Sequence, residues 1–477
     1  MKPIQLDRSN FTWFFYSRVI DAFRWGFVVS IFFPKFFGRG SRMILWSSTA
    51  IACGLFAAVG PVSALDLLWN NVVPDNNATI ETTDGAWNAT DTSWSVAPVV
   101  PAAFEGAANQ AFTVGATAIF TETPSLVTSD GTAVPSGLTF SVAGYTIAGT
   151  LKYGLALAID AADDTLSLAT AGDPDVTISA ALNGVGDITK SGVGVVAVSG
   201  DNTGATGNLS VNAGSMVSTG NYGGTVGVAF GAALDVNGGT VSGLVTNSGG
   251  TVEIGGATFA MGVAVTTGTV TVDGNSTVDG TGIVNTGGTV IVDAPRVLTG
   301  DVRNNGATTV VNNGQIIGDV TNAGAGTTTN AGLIDGDMTV SAGAFNNETG
   351  GSISGAATAS AGTVGANGGS FDGGLTVGGS ATLNITGDTT AAITNNGVAT
   401  LTIGDFDIVG DFVQQSGQTD NTGDITGTLD VTGGTFNNET GGSISGAATA
   451  SAGTVGANGG SFDGGLTVGG SATLNIT

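Results

Sequence analysis

The stretch "QIIGDVTNAGAGTTTNAGLIDG", Gln315–Gly336, decides the fold. It holds an apolar residue two places before a glycine twice, Ile316 before Gly318 and Ile334 before Gly336. Between them lie a short alternating run and Gly/Asn-rich turns. The same phrase recurs in both directions: Val241, Val278, Leu298, Ile353, Phe371, Ile408, Ile425, Ile444 and Phe462 each stand two places before a glycine, with Ala260 the weakest member. The glycines Gly243, Gly262, Gly280, Gly300, Gly318, Gly336, Gly355 and Gly373 follow one another at a nearly constant interval. One member is missing near Thr390, and Gly410, Gly427, Gly446 and Gly464 resume the series.

A period of this length, built from runs such as "TVEI", "TVTV", "TTVV" and "ATLNI", is what one coil of a parallel β-solenoid requires. We therefore expect an all-β, right-handed parallel β-helix with about 18–20 residues per coil. The apolar series becomes an interior column of stacked side chains, and the glycines take turn geometries closed to residues with a Cβ. Asn247, Asn304 and Asn322 fall four places after their glycines, where an amide ladder competes with plain turn preference as the explanation. At ~4.8 Å per coil, roughly 18 coils from about residue 146 onward give a rod on the order of 85 Å long.

Phe345–Thr386 and Phe436–Thr477 are identical letter for letter, five periods apart. Duplication of coils perturbs only the junctions of a solenoid, so a copied block is a cheap way to lengthen it. The second copy breaks off within the repeat, which leads us to expect a chain truncated at its C-terminus.

Composition agrees with strands and turns. Gly is 81 of 477 residues and only 10% of residues are charged, against about 25% in ordinary domains. Regular spacing of branched apolar residues argues against disorder, which has no use for a fixed interval. Of 11 Lys and Arg residues, seven lie before Met43 and only Lys152, Lys190, Arg296 and Arg303 follow; setting aside Asp7 and Asp21, 35 of the 37 acids lie beyond Ala64. So negative a chain excludes nucleic acid as a partner.

Residues 44–60, "ILWSSTAIACGLFAAVG", follow Arg39 and Arg42 and precede "PVSA", which reads as a signal peptide over 43–64 with cleavage after Ala64. A membrane anchor is the alternative, though the run is short for a span. Residues 1–42 are an N-terminal extension of that signal or a start chosen too early, with Met43 near the true beginning. Cleavage would remove Cys53, the only cysteine, so no disulfide is expected in the exported chain. The remainder divides into an N-terminal cap with first coils, 65–145, and a repetitive solenoid, 146–477. Trp69, Trp87, Trp94, Phe104, Phe140 and Tyr145 are expected to close the core of the first coils.

"GVGDITKSGVGVVAVSGDNTGATGNLSVNAGSM", Gly184–Met216, resembles the passenger-associated repeat of Gram-negative autotransporters at Lys190, Gly192, Gly194, Gly200, Asn202, Thr203 and Gly204, and departs from it at Ile188, Ala197 and Ala205. With "LWNN" and "GAWNATDTSW" upstream, the resemblance covers about residues 65–215. It implies an exported, surface-displayed β-helical passenger in or beyond the outer membrane, adhesin-like or a structural, shielding rod. It further implies an outer-membrane translocator barrel downstream of Thr477, and host surfaces, glycans or neighbouring cells as partners.

No histidine occurs, which excludes Ser-His-Asp and Cys-His catalysis. Acidic groups at Asp160–Asp164, Asp173–Asp175 and Asp405–Asp407 are the candidates for a carboxylate-pair glycanase on a β-helix, with Arg296 and Arg303 the available cations. Nothing in the pattern sets a second carboxylate opposite any of them, so we expect solvated turns, no enzyme, and no catalytic, metal or cofactor residues. Tandem "GGxGxDxxx" nonapeptides are absent, so a calcium-bound roll is not expected. A secreted polysaccharide-processing enzyme and a self-assembling surface-layer component are the competing functions.

Overall fold

The computed structural model describes residues 66–69, 85–90, 94–96, 112–120, 124–162 and 174–477. All lie in one compact unit, Pro61–Thr477. The signal segment, its N-terminal extension and Phe104 fall outside the described residues.

Forty-nine strands and no helix make up the described chain. Every strand ladder is parallel except that of Asp66–Trp69 with Trp94–Val96. Each strand pairs with its counterpart one turn further along, as Val302 does with Val320 and Ile316 with Ile334, and the result is a parallel β-solenoid of about 18 turns. Three strand columns run along it. In one turn they are Val302–Asn304, Thr309–Asn312 and Gln315–Ile317; in the next, Val320–Asn322, Thr327–Asn330 and Leu333–Asp335. Alternation within each short strand sends every second side chain inward. Val310, Ile316 and Val320 are accordingly fully or almost fully buried, and one contiguous core runs from Leu67 to Val455.

The interior column is real, with two corrections. Leu298, Ile316, Ile334, Ile353 and Phe371 stack in register, all buried. In the turn with the weak member, however, the partner of Val241 is Phe259 and not Ala260. An extra residue before Gly262 moves the large side chain back one place, and the phenyl ring takes the interior position because burial favours it.

The second correction concerns the long spacing before Gly300 and the missing member. Phe259 pairs with Val278, but Leu298 pairs with Ser276; Phe371 pairs with Ala391, but Ile408 pairs with Thr389. At both places the column steps along the strand and a small hydroxyl side chain fills the interior. Ser276 Oγ donates to the Gly274 carbonyl at 3.1 Å and accepts from Gly256 N–H at 3.0 Å. Thr389 Oγ1 donates to the Gly387 carbonyl at 2.9 Å. Each buried hydroxyl has a partner, which is the condition for placing one in a core.

The glycines owe their positions to turn geometry in some turns and to close approach in others. Gly262, Gly280, Gly300, Gly318 and Gly410 have φ of 94°, 66°, 139°, 153° and 158°, as expected. Gly336, Gly355 and Gly373 do not have positive φ. A Cβ on them would lie 2.2, 2.4 and 2.2 Å from the carbonyl oxygen of the glycine one turn back. Successive turns touch backbone to backbone along this corner, so only glycine fits.

Candidate functional site

The stretch Gly184–Met216 places two buried polar side chains, Lys190 and Asn202, inside the first regular turns. Lys190, in the strand Asp187–Ser191, is fully buried. Its ammonium donates to the carbonyls of Ser191 at 3.0 Å, Gly192 at 2.8 Å and Ala213 at 2.9 Å. Burial pulls its pKa down to about 8, while Asp160 and Asp175 work in the opposite direction. Gly192 turns with φ of 74°, and a Cβ there would meet the Ala161 carbonyl oxygen at 2.3 Å. Asn202, almost fully buried, accepts from Leu182 N–H at 2.9 Å and donates to the Gly200 carbonyl at 2.8 Å. The bonds to Ala213 and Leu182 tie neighbouring turns, and those to Ser191, Gly192 and Gly200 fix the local bends. Neither the ammonium nor the amide is offered to solvent.

Upstream, Trp87, Phe140 and Tyr145 are buried as expected, joined by Phe112 and Phe120. Trp87 meets Phe112 edge-on at 5.2 Å, and Phe120 stacks on Phe140 at 4.8 Å. Trp69 and Trp94 lie in paired strands, with Trp69 opposite Trp94. Phe112 and Phe120 were legible only as members of an aromatic-rich stretch without a period.

The acidic candidates do not assemble. Asp160 is exposed at a strand end, while Asp175 is buried and its Oδ2 accepts from Val195 N–H at 2.6 Å. Asp163, Asp164 and Asp173 lie outside the described residues. Asp405 is exposed and Asp407 half-buried in one turn, where Asp407 N–H donates to Asp388 Oδ1 at 3.1 Å. Arg296 is exposed, and Arg303 makes a 3.5 Å ion pair with Asp301 on the same strand edge. Among the described residues, no three His, Cys, Asp or Glu side chains converge as a metal centre.

The asparagines separate into two ladders. Asn285, Asn304 and Asn322 are in register and buried, whereas Asn247 sits between Val228 and Val265. They do not bond one another: Asn285 Nδ2 donates to Gly288 and Thr309 carbonyls, both at 3.0 Å, Asn304 Nδ2 to the Thr327 carbonyl at 3.2 Å and Thr328 Oγ1 at 3.3 Å, and Asn322 Nδ2 to the Ala344 carbonyl at 2.7 Å. A true amide-to-amide ladder runs elsewhere, through Asn312, Asn330 and Asn347, with Nδ2–Oδ1 distances of 2.7 and 2.8 Å. Asn421 and Asn438 repeat it at 2.9 Å. Its sequence signal was an Asn recurring once per turn at the end of the "TTVVN", "TTTN" and "FNN" runs, a second period running beside the one with glycine.

Outside, the turns present rows of hydroxyls. Thr321, Thr339, Thr358, Thr376 and Thr394 are in register over five turns, exposed or half-buried. A second row, Thr251, Thr269, Thr289, Thr309 and Thr327, lies on another strand column. Such faces carry repeated polar contacts at the spacing of the sheet, ~4.8 Å. Compared with family models, curated proteins and solved structures, the chain matches none.

Proposed function

We propose that this chain is the β-helical passenger of an autotransporter, exported to the cell surface, where it acts as an adhesin-like or shielding rod without enzymatic chemistry. The observation that carries the reading is the buried Lys190 cluster. Lys190 and Asn202, two residues of the stretch that resembles the passenger-associated repeat, hold one turn to the next, so the motif has structural work in such a rod. The in-register threonine rows support a function spread along lateral faces, where many weak contacts add through multivalency. The large excess of acids over bases keeps neighbouring rods apart. An outer-membrane translocator barrel belongs to this reading as the partner in export.

The test is surface exposure in a Gram-negative host carrying the whole gene. Antibodies raised against residues 65–477 should label intact cells, and protease added outside should remove the label. Labelling that requires permeabilised cells would overturn the reading.

A further inference from the structure

Three consecutive turns bring Asp235, Asn237, Glu253 and Asp273 to one corner around Gly255. Asp235, Glu253 and Thr271 are in register on adjacent strands, and Val217 is the neighbour of Asp235 on its other side. Just past these strands, Gly255 N–H donates to the Val236 carbonyl and Asp273 N–H to the Ile254 carbonyl, which stacks Asn237, Gly255 and Asp273.

The corner has oxygen atoms in excess of donors. Asp235 is 6% exposed; its Oδ2 accepts from Asn237 Nδ2 at 2.8 Å, but its Oδ1 is buried with no donor. Asp273 Oδ1 is also buried with no donor. A Cβ on Gly255 would lie 2.4 Å from Asn237 Oδ1 and 3.2 Å from Asp273 Oδ1, so the oxygens of exposed Asn237 and half-buried Asp273 are no farther apart than the sum of those distances. Leaving such acceptors buried and unpaired is costly. No basic side chain relieves it, because the only ion pair among the described residues is Arg303–Asp301.

We propose that this corner is a calcium-binding site, in which Asn237 Oδ1 and Asp273 Oδ1 hold the ion across Gly255 and Asp235 and Glu253 supply the remaining negative charge. Oxygen-only ligation by carboxylates and an amide, at irregular positions, suits calcium, which takes oxygens at about 2.3–2.6 Å in flexible geometry; magnesium demands a near-ideal octahedron. Fewer than three carboxylates converge closely, so the rest of the shell is water and the affinity belongs to the extracellular class, about 0.1–1 mM. The inference is independent of surface display.

The experiment is calorimetric titration of the full chain, freed of metal by a chelator, with calcium chloride and separately with magnesium chloride in about 0.15 M salt to screen diffuse charge. We expect saturable calcium binding that weakens at least tenfold in Asp273→Asn, is unchanged in Asp319→Asn, and tightens in Asn237→Asp, which adds a carboxylate without removing a ligand. Calcium should raise Tm in the parent chain and in Asp319→Asn, and leave Asp273→Asn unmoved. Superimposable isotherms for the parent and Asp273→Asn, or equal uptake of magnesium, would overturn the site. So would a chain stabilised by Asp235→Asn whose parent form shows no calcium-dependent rise in Tm, since the orphan oxygens would then belong to a protonated acid.

Discussion

Phe345–Thr386 and Phe436–Thr477 have the same sequence and do not have the same structure. Their first halves agree strand for strand, Ala344–Glu348 with Thr435–Glu439, Ser352–Ile353 with Ser443–Ile444, Ala357–Ala359 with Ala448–Ala450 and Thr363–Asn367 with Thr454–Asn458. Their second halves diverge. In the first copy Ser370–Gly379 is one unbroken strand, covered by Thr389–Ile403 of the next turn. In the second, the corresponding residues form Ser461–Phe462 and Leu466–Val468, separated by a turn. Leu383 and Ile385 are 3% and 6% exposed beneath the following strand, while Leu474 and Ile476, with no following turn within residues 1–477, are 38% and 76% exposed. Local sequence therefore specifies the strand and its inward face; the neighbouring turn specifies how long the strand is and whether that face is buried.

The comparison is sharpest at the phenylalanines. Phe371→Ala should cost about 3–5 kcal/mol locally, the range for emptying a closed core, whereas Phe462→Ala, already half-open, should cost about 1 kcal/mol. Site-resolved hydrogen exchange reads each turn separately, and equal losses of protection in the two variants would break the argument from cover.

Next in size, Leu383→Ala should cost about 2–3 kcal/mol and Leu474→Ala less than about 1 kcal/mol. A chain extended past Thr477 by a second Gly387–Gly410 segment should raise the cost at Leu474 to that at Leu383. Failure to do so would mean that something other than the covering turn protects the first copy.

The amide positions should show no difference between copies. Asn347 accepts from Asn330 and donates to the Ser370 carbonyl at 2.8 Å; Asn438 accepts from Asn421 and donates to the Ser461 carbonyl at 2.7 Å. Both are fully buried, so Asn347→Ala and Asn438→Ala should each cost about 1–3 kcal/mol by leaving partners unpaired. A large gap between them in denaturant titration would show that exposure at the last turn reaches further inward than one neighbour.

Cover also sets the smallest effect, on acidity. Asp235 and Glu253 have folded pKa values above their unfolded ones because burial penalises the charged form. In chelator, the folded chain then binds more protons than the unfolded one just above the ordinary carboxylate range, so stability rises as pH falls from neutral into that window. Asp411 works in the opposite sense. Hydrogen bonds from Thr428 lower its pKa, so its contribution is present above the ordinary range and lost at lower pH. Tm measured from neutral pH down into the carboxylate range should show a flatter slope in Asp235→Asn than in the parent; an unchanged slope would detach the effect from Asp235.

The solenoid was readable because its period repeats the same demand in every turn: an inward apolar residue, a polar outward neighbour, and a glycine where backbones meet. Ile316, Ile334 and Ile353 needed no tertiary information, since a branched apolar side chain at a fixed interval has one way to leave water. The reading slipped where two residues compete for one place. Phe259 outranked Ala260 by buried area, and Ser276 and Thr389 entered the core because their hydroxyls found carbonyls that the sequence does not reveal. The amide ladder through Asn312, Asn330 and Asn347 was likewise hidden, because which asparagine of a pair turns inward depends on register. Of the polar sites, the role of Lys190 could be suspected from its motif, but not its three carbonyl partners.

What the sequence determined alone is therefore the strand period, the inward column and the negative charge, all properties of local order and composition. What only the tertiary structure decided is which turn covers which, where the column steps, and that Asp235, Asn237 and Asp273 meet at one corner. These depend on side chains one and two turns apart along the chain coming into contact, and a periodic chain allows several registers until packing selects one.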